Sequence, residues 1–369
     1  MSDFSRDDRQ YMARALQLAA LGLYSTDPNP RVGCVLVREG RIIGEGWHEV
    51  AGGPHAEVIA LQQAGEQARG ATAYVTLEPC CHHGKTPPCS EALIAAGLGR
   101  VIAAMEDPNP QVAGKGLAQL QQAGIAVACG LLADEAAALN AGFVSRMARG
   151  KPFVRCKLAS SLDGRTAMAS GESQWITGPA ARADVHRLRA RSSAIMSGIG
   201  TVLADDPSLT VRLEDDQLAP RQPLRVVLDP HLSTPPTARF LSQPGHSLIA
   251  TASEEPALQA ALEAAGAEVI QLPHGPDAID LNALMGVLAE RQVNEILLET
   301  GAVLSGALLH AGVIDELVIY MAPKLMGDGG RGLFHTPGLD KLADAVPLTI
   351  TDMRAVGDDW RITATIAED

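Results

Sequence analysis

The sequence predicts an α/β protein with two domains. Short apolar runs alternate along the chain with stretches whose apolar residues recur at helical spacing. This alternation is typical of a sheet covered by helices on both faces, an αβα sandwich. The chain has 369 residues, 46% of them hydrophobic and 20% charged, so it is long enough to form two cores. The alternation pauses at residues 149–152 and then restarts, which predicts domains over residues 1–148 and 149–369.

The first domain is predicted to begin with a helix and a hairpin. Apolar residues at helical spacing predict a helix over residues 5–23. Two β-prone runs flank a charged turn, which predicts a hairpin of strands 32–37 and 42–46. A helix over 55–64 follows. The later elements are predicted as strands over 73–77, 100–105 and 125–128 and as helices over 90–96 and 116–123.

The second domain is predicted to continue the alternation. Its first helix covers residues 180–191. Its β-prone runs predict strands over 153–159, 194–197, 224–228, 247–250, 268–272, 295–298 and 316–321. In α/β sheets, ligands bind at the ends of strands and the starts of helices, so we expect the functional residues there.

The charge of the chain restricts the classes of ligand. A formal net charge of −13 argues against a nucleic-acid partner, because a phosphate backbone is usually met by a basic face. A small anionic substrate is compatible with this charge, since a few local arginines suffice for one phosphate. Residues 1–9 are rich in charge, and no run reaches the roughly 18 apolar residues of a membrane span. We therefore expect a cytoplasmic protein without nucleic-acid or membrane partners.

The six cysteines are unevenly spaced along the chain. Three of them, Cys80, Cys81 and Cys89, lie within ten residues. Such clustering indicates metal binding rather than a disulfide framework. The remaining three lie in apolar runs, where a cysteine is usually a small core residue.

A histidine and a carboxylate precede the cysteine cluster. His55 and Glu57 lie at the start of a predicted helix, and Cys80 and Cys89 follow, in a pattern that matches the signature of zinc-dependent deaminases. A catalytic zinc site needs three protein ligands and an open fourth position. Helix positions two apart point away from each other. His55 is therefore expected to bind the metal and Glu57 to act as the general acid/base.

The spacing of the cysteines leaves other ligands open. Eight residues separate Cys80 from Cys89, whereas the usual signature closes as Cys-x-x-Cys. Cys81, His82 and His83 are therefore alternative ligands, and a set of four would make a closed, structural site. A carboxylate beside the first ligand would have no purpose in a closed site, so the open site is favoured.

The loop over residues 79–89 narrows the interpretation. It reads PCCHHGKTPPC and resembles the corresponding loop of the bifunctional deaminase-reductases of riboflavin biosynthesis. The resemblance extends through residues 107–116 and the second half of the chain. It implies a cytidine-deaminase-like first domain that binds one zinc ion. The implied site residues are the zinc ligands His55, Cys80 and Cys89, the catalytic proton donor Glu57, and Asn29, which is similar to the residue that holds the sugar side of the substrate.

The second half resembles the reductase of the same family. The matching stretches are 157–165, 173–177, 198–212 and 299–301. They imply a dihydrofolate-reductase-like α/β domain that binds NADPH. The resemblance assigns cofactor contacts to Ala159, Trp175, Thr201, Asp205, Gly301, Ala302, Val303, Leu304, Ser305, Gly306 and Ala307. It assigns substrate contacts to Ser173, Arg189, Leu209, Arg212 and Glu299.

The residue types in the second half support part of this assignment. Arg189 and Arg212 offer charge-assisted donors for one phosphate, and Lys157 is a candidate for holding the ring carbonyl. Gly301 precedes a predicted helix, whose N–H groups would lie near the pyrophosphate of a nucleotide. Thr300 stands where many relatives carry glycine.

The resemblance implies two consecutive reactions. The first half would deaminate 2,5-diamino-6-(5-phosphoribosylamino)pyrimidin-4(3H)-one, and the second would reduce the ribosyl group with NADPH to give 5-amino-6-(5-phosphoribitylamino)uracil. The family also suggests a homodimer. Two alternatives are a tRNA-type or nucleoside deaminase fused to an unrelated reductase, and a binding module with a closed zinc site. The acidic charge of the chain disfavours the tRNA-type deaminase.

Overall fold

The computed structural model describes residues 4–82, 88–212, 218–219, 221–275 and 278–367. The chain divides into two compact units, Met1–Gly150 and Lys151–Asp369. The boundary predicted from the sequence, between residues 148 and 149, lies close to this division. None of the helices in the described ranges is both long and apolar enough to cross a membrane.

The first unit alternates helices and strands as predicted. Its N-terminal helix is capped by Ser5, whose hydroxyl accepts from the backbone N–H of Asp8 while the Asp8 carboxylate accepts from the backbone N–H of Ser5. In chain order the elements are α1 (Arg6–Leu21), β1 (Gly33–Arg38), β2 (Arg41–Trp47), α2 (Ala56–Ala64), β3 (Thr72–Val75), α3 (Cys89–Ala95), β4 (Arg100–Ala103), α4 (Lys115–Gln122), β5 (Ala126–Cys129), α5 (Ala133–Leu139) and α6 (Ala141–Arg149).

Helices cover both faces of the first sheet. Among the described residues, its strand order is β2-β1-β3-β4-β5, with β3, β4 and β5 parallel. Cys34 and Leu36 of β1 pack with α2, α3 and α4, whereas Val35 and Val37 pack with α1 and α5. Alternate side chains therefore enter two separate cores. The αβα arrangement predicted for this domain is confirmed.

A close approach between β2 and α2 determines where the start of α2 lies. A Cβ atom added at Gly46 would lie 2.4 Å from the carbonyl oxygen of Ala56, so only glycine permits this backbone contact. The contact brings the first turn of α2 against the sheet. His55, the N-cap of α2, and Glu57, in its first turn, are positioned by this packing.

The second unit contains a larger sheet. Its elements are β6 (Phe153–Ser161), β7 (Arg165–Ala167), α7 (Pro179–Arg191), β8 (Ala194–Gly198), α8 (Ile199–Asp205), β9 (Leu224–Leu228), β10 (Ser247–Thr251), α9 (Pro256–Ala264), β11 (Ala267–Gln271), β12 (His274–Gly275), β13 (Ala278–Ile279), α10 (Leu281–Glu290), β14 (Glu295–Leu298), α11 (Ala302–His310), β15 (Glu316–Ala322), β16 (Arg331–Gly332), β17 (Leu348–Val356) and β18 (Asp359–Ile366).

The order of the second sheet separates parallel from antiparallel strands. Within the described ranges the order is β11-β10-β9-β8-β14-β6-β15-β18-β17. The first seven strands in this order, β11 through β15, are parallel to one another. The last two, β18 and β17, are antiparallel and form one edge of the sheet. Ile296 and Leu298 of β14 pack with α10 and α11 on one face, while Leu297 packs with α7 on the other. The carboxyl ends of the parallel strands therefore share one edge, where ligands bind in such sheets.

Several elements were absent from the sequence prediction. The hairpin of β17 and β18 does carry a signal, because β-prone residues alternate with polar ones on either side of Gly357-Asp358. The ribbon formed by β7 and β16 carries little local signal. It pairs Arg331 with Ala167 across a long stretch of chain, and two-residue or three-residue strands are too short for periodicity to reveal.

Helix α11 packs closely on the segment that follows β16. A Cβ atom added at Gly306 would lie 1.9 Å from the carbonyl oxygen of His335. The backbone N–H of His335 donates to the carbonyl oxygen of Ala302, so this segment is also tied to the start of α11. By contrast, a Cβ atom at Gly286 in α10 would meet no atom within 4 Å.

These two helical glycines form a matched pair for a stability test. Gly306→Ala is expected to lower the free energy of unfolding of the second unit by about 1–3 kcal/mol or more, because the added methyl group would overlap a backbone oxygen. Gly286→Ala should leave it unchanged or raise it by about 0.5–1 kcal/mol, because alanine favours the helix. Urea unfolding followed by circular dichroism measures both, and equal effects of the two changes would contradict the packing described for α11.

Candidate functional sites

Three metal-binding side chains meet at the helix starts of the first unit. His55 is the N-cap of α2, Cys80 lies in the loop after β3, and Cys89 begins α3. The His55 Nδ1 atom lies 3.2 Å from the Cys89 Sγ atom and 3.6 Å from the Cys80 Sγ atom. All three donor atoms lie within 4.8 Å of one another. One nitrogen and two sulfur donors at this spacing suit zinc.

The electrostatics of the cluster prepare it for a cation. A hydrogen bond from the Cys89 thiol lowers the pKa of Cys80 to about 4, and the backbone N–H of Cys89 donates to the Cys80 Sγ atom at 3.3 Å. The same thiol–thiol hydrogen bond and burial raise the pKa of Cys89. The hydrogen bond to Cys80 raises the pKa of His55. A thiolate therefore forms readily at Cys80, and thiolates are the form in which cysteine binds metals.

The carboxylate of Glu57 lies beside the cluster rather than in it. Among the described residues, the group of metal-binding side chains contains His55, Cys80 and Cys89 and does not include Glu57. Its side chain is 3% exposed and hydrogen-bonds to the Cys89 thiol. Burial raises the pKa of Glu57, although the charge on His55 opposes this shift. A buried carboxyl with a raised pKa next to a three-ligand site suits proton transfer.

The alternative ligands do not join the cluster in the described part of the chain. Cys81 and His82 are absent from the group formed by His55, Cys80 and Cys89. Burial raises the pKa of Cys81, as does the charge of the nearby Glu78, so this thiol is less prepared to bind a metal. His83 lies outside the described residues.

A buried histidine links Asn29 to this site. The His48 Nδ1 atom lies 3.0 Å from the Pro54 carbonyl oxygen, and its Nε2 atom lies 3.0 Å from the Asn29 Nδ2 atom. Burial lowers the pKa of His48. The neutral ring therefore donates to Pro54 and accepts from Asn29, which leaves the Asn29 carbonyl oxygen for another partner. The His48 ring also meets the His55 ring edge-on, with centroids 5.5 Å apart. Sequence reasoning missed His48, because a lone histidine after a strand has no distinguishing pattern.

Glu78 is a second residue that sequence reasoning missed. Its buried carboxylate accepts four backbone N–H groups, from Asp107 at 3.1 Å, Gly114 at 2.8 Å, Gly116 at 2.8 Å and Leu117 at 3.2 Å. These donors belong to the segment 107–116 and the first turn of α4. The carboxylate thus joins that segment to the strand end that leads into Cys80.

The second unit contains a cavity of about 770 Å³ at the carboxyl edge of its sheet. The residues expected to contact a cofactor that line it are Ala159, Thr201, Asp205, Gly301, Ala302, Val303, Leu304 and Ala307. The residues expected to contact a substrate that line it are Lys157, Ser173 and Glu299. Residues of β7 and β16 also line the cavity, and sequence reasoning missed them: Thr166, Ala167 and Arg331.

Six expected contact residues do not line this cavity in the described structure. Ser305 and Gly306 are buried in α11, and Gly306 packs against the backbone of His335. Trp175 is 65% exposed, and its ring lies 4.8 Å from the guanidinium carbon of Arg182. The remaining three are the buried Leu209, the exposed Arg212, and Arg189.

Arg189 is directed at a carboxylate rather than at open space. Its guanidinium group donates to both oxygens of Glu299, at 2.6 and 2.9 Å, and to the carbonyl oxygen of Thr210 at 2.8 Å. Burial alone would raise the pKa of Glu299, but the bidentate pair with Arg189 holds it at about 2. Burial lowers the pKa of Lys157, while the charge of Glu299 opposes this shift. The cavity therefore holds an ionised carboxylate, paired with Arg189, beside the amine of Lys157.

Two helix starts face this cavity. Gly198 is the N-cap of α8 and Gly301 is the N-cap of α11, and both line the cavity. Neither helix start has a side-chain cap in the described part of the chain. The first N–H groups of such helices bind anions such as the phosphates of a nucleotide.

Two family models together match nearly the whole chain. The cytidine and deoxycytidylate deaminase zinc-binding region matches residues 5–105, and the RibD C-terminal domain matches residues 152–362. The chain is 54% identical to the riboflavin biosynthesis protein RibD of Escherichia coli, over 95% of this chain and 97% of that protein. It is 52% identical to the protein of the same name from Haemophilus influenzae, over 99% of each chain.

Solved structures show the same fold over the whole length. Acinetobacter baumannii RibD superposes with a TM-score of 0.90 at 46% identity and covers 98% of this chain and 99% of its own. A Thermotoga maritima protein, described as a diaminohydroxyphosphoribosylaminopyrimidine deaminase/5-amino-6-(5-phosphoribosylamino)uracil reductase, superposes with a TM-score of 0.85 at 34% identity, with 98% and 99% coverage. The predicted combination of a cytidine-deaminase-like domain and a reductase domain is confirmed. The chain therefore belongs to the RibD family of bifunctional deaminase-reductases of riboflavin biosynthesis.

Proposed function

We propose that the first unit hydrolytically deaminates 2,5-diamino-6-(5-phosphoribosylamino)pyrimidin-4(3H)-one and that the second unit reduces the ribosyl group of the product with NADPH. The observation that carries this proposal is the three-donor cluster of His55, Cys80 and Cys89 with the buried Glu57 beside it. The activity that describes the Thermotoga maritima relative supports the choice of substrate. A homodimer and a cytoplasmic location stay predictions of the resemblance.

The donor set of the first unit fits a zinc ion. His55, Cys80 and Cys89 would hold it, and the fit rests on their mutual distances and on the readily formed thiolate of Cys80. Zinc bound there would lower the pKa of a water molecule to near neutrality. A set of three protein ligands leaves room for that water, which distinguishes this site from a closed structural one.

Glu57 would move the protons of the deamination. Its carboxylate takes a proton from the attacking water and returns it to the leaving amine, so that ammonia departs. Because its pKa is raised, the carboxyl of Glu57 is protonated more easily near neutral pH, so it can both accept and return a proton. The Asn29 carbonyl oxygen, oriented by His48, would accept from the sugar side of the substrate.

The cavity of the second unit fits a nicotinamide nucleotide. The uncapped starts of α8 and α11 would bind its phosphates, and Thr201 and Asp205 would contact it along α8. NADPH bound there would supply the hydride. Lys157 would donate to the ring carbonyl of the substrate, and Glu299 would hold Lys157 in place through its charge. Arg189 would act by fixing Glu299, because its donors are directed at that carboxylate and at Thr210.

A single experiment tests both activities. The purified chain is supplied with the diaminopyrimidine phosphate, with and without NADPH, and ammonia release and NADPH oxidation are followed separately. We expect ammonia release under both conditions and NADPH oxidation only after deamination has begun. Absence of ammonia release from a zinc-loaded chain would contradict the proposal, as would NADPH oxidation that does not depend on the pyrimidine.

Two substitutions separate the metal from the proton carrier. Glu57→Gln is expected to retain zinc and to lower the rate of ammonia release by at least about 100-fold, because the amide cannot carry a proton. His55→Ala should lose the zinc as well as the activity, because it removes one of three ligands. Metal analysis and ammonia assays measure both effects, and a Glu57→Gln variant with wild-type turnover would exclude the role of Glu57.

A third substitution tests the independence of the second site. Lys157→Met keeps an unbranched side chain of nearly the same length but removes its charge and its donors, so we expect NADPH oxidation to fall by at least about 100-fold. Ammonia release by the same protein should stay within twofold of the wild-type rate and serves as the internal control. Loss of both activities together would argue against two separately functioning sites.

A further inference from the structure

The segment 173–177 forms one wall of the cavity in the second unit and has few regular backbone hydrogen bonds. Ser173 and Ile176 line the cavity, whereas Trp175 between them is exposed. Such a segment keeps one conformation only if other groups fix it. Its carbonyl groups therefore need identified donors.

A lysine supplies two of these donors. The Lys324 Nζ atom lies 3.0 Å from the carbonyl oxygen of Trp175 and 2.8 Å from that of Ile176. A charged ammonium group forms stronger hydrogen bonds with carbonyl oxygens than a neutral donor does. Lys324 thus holds two consecutive peptide groups, one of them belonging to a residue that lines the cavity.

An arginine holds the next residue of the segment. The Arg182 Nη1 atom donates to the carbonyl oxygen of Thr177 at 2.9 Å, and the guanidinium group lies over the Trp175 ring. The side-chain amide of Gln174 donates to the carboxylate of Asp205 at 3.1 Å. Three consecutive carbonyl groups therefore face two cations, and the segment is also tied to α8.

The backbone of Lys324 is itself fixed by the sheet. Lys324 follows β15, and its carbonyl oxygen accepts from the backbone N–H of Leu162, just after β6. The carboxylate of Asp163 accepts from the backbone N–H groups of Met326 at 3.0 Å and Gly327 at 2.7 Å. The backbone of Lys324 is therefore fixed, and the hydrogen bonds of its ammonium group fix the carbonyl groups of Trp175 and Ile176 in turn.

We propose that Lys324 is a positioning residue of the reductase site, which fixes the segment 173–177 so that Ser173 and Ile176 face the bound pyrimidine and cofactor. The role rests on the reductase function proposed above. Lys324 acts through the Trp175 and Ile176 carbonyl groups and does not itself contact the reacting atoms.

The test compares Lys324→Met and Lys324→Arg with the control Lys341→Met, which changes an exposed lysine. For Lys324→Met we expect kcat/KM of NADPH oxidation to fall at least about tenfold. The KM for the pyrimidine phosphate should rise more than kcat falls, because the loosened wall weakens binding. Lys324→Arg keeps the charge and several donors and should recover activity to within about threefold of wild type. Lys341→Met and the ammonia release of every variant should match wild type.

Hydrogen–deuterium exchange supplies a second readout. The peptide that spans residues 173–178 should exchange faster in Lys324→Met than in the wild type or the control. Wild-type kcat/KM in Lys324→Met, or unchanged exchange in this peptide, would overturn the proposal. If the second unit of Lys324→Met melts below the assay temperature, the kcat/KM of Lys324→Arg decides the test. A value near that of the wild type supports the role of Lys324, and a value as low as that of Lys324→Met overturns it. A wild-type chain that oxidises no NADPH would instead overturn the proposed reductase function.

Discussion

The buried carboxylate of Glu78 is the constraint on which the first site depends most. It follows β3 and stands two residues before Cys80, and it accepts backbone N–H groups from both ends of the segment 107–116. An unpaired carboxylate in this position would be costly, whereas four backbone donors satisfy it without any second side chain. The loop that carries Cys80 and the segment 107–116 are therefore joined through this carboxylate. Asp107, in that segment, is also buried, and burial raises its pKa to about 6.

Both units place their chemistry where strands end and helices begin, but they use these positions differently. In the first unit, the helix starts contribute side chains, since His55 caps α2 and Cys89 opens α3. In the second unit, Gly198 and Gly301 stand at the starts of α8 and α11 and line the cavity without a side chain. A small metal ion needs side-chain ligands at short distances. A nucleotide needs space and backbone donors for its phosphates.

The parts that could be predicted from the sequence are those whose signal is local. His55, Cys80 and Cys89 come together because short motifs stand at predictable element ends, and β9 and β14 were predicted at their observed bounds. The links made by Glu78, His48 and Lys324 could not be predicted. Each joins two separate segments of the chain through one side chain, and a single glutamate, histidine or lysine is common on protein surfaces and forms no motif. The pairing of Arg189 with Glu299 could not be predicted for the same reason. A charge in a sequence does not reveal its partner.

Two buried glutamates illustrate how the partner of a carboxylate decides its use. Desolvation prevails at the buried Glu57, and its pKa rises although the charge on His55 opposes the shift. Glu299 is also largely shielded from water, but Arg189 donates to both of its oxygens and holds its pKa at about 2. A carboxyl whose pKa is raised is easier to protonate and can carry a proton during a reaction, whereas a group with a pKa of about 2 stays ionised and acts as a fixed charge. In the proposed function, the hydrolytic step uses Glu57 as a proton carrier, and the reduction uses Glu299 to hold the amine of Lys157. The same type of side chain differs between the two units because one buries it beside thiol groups and a histidine, and the other pairs it with a guanidinium group.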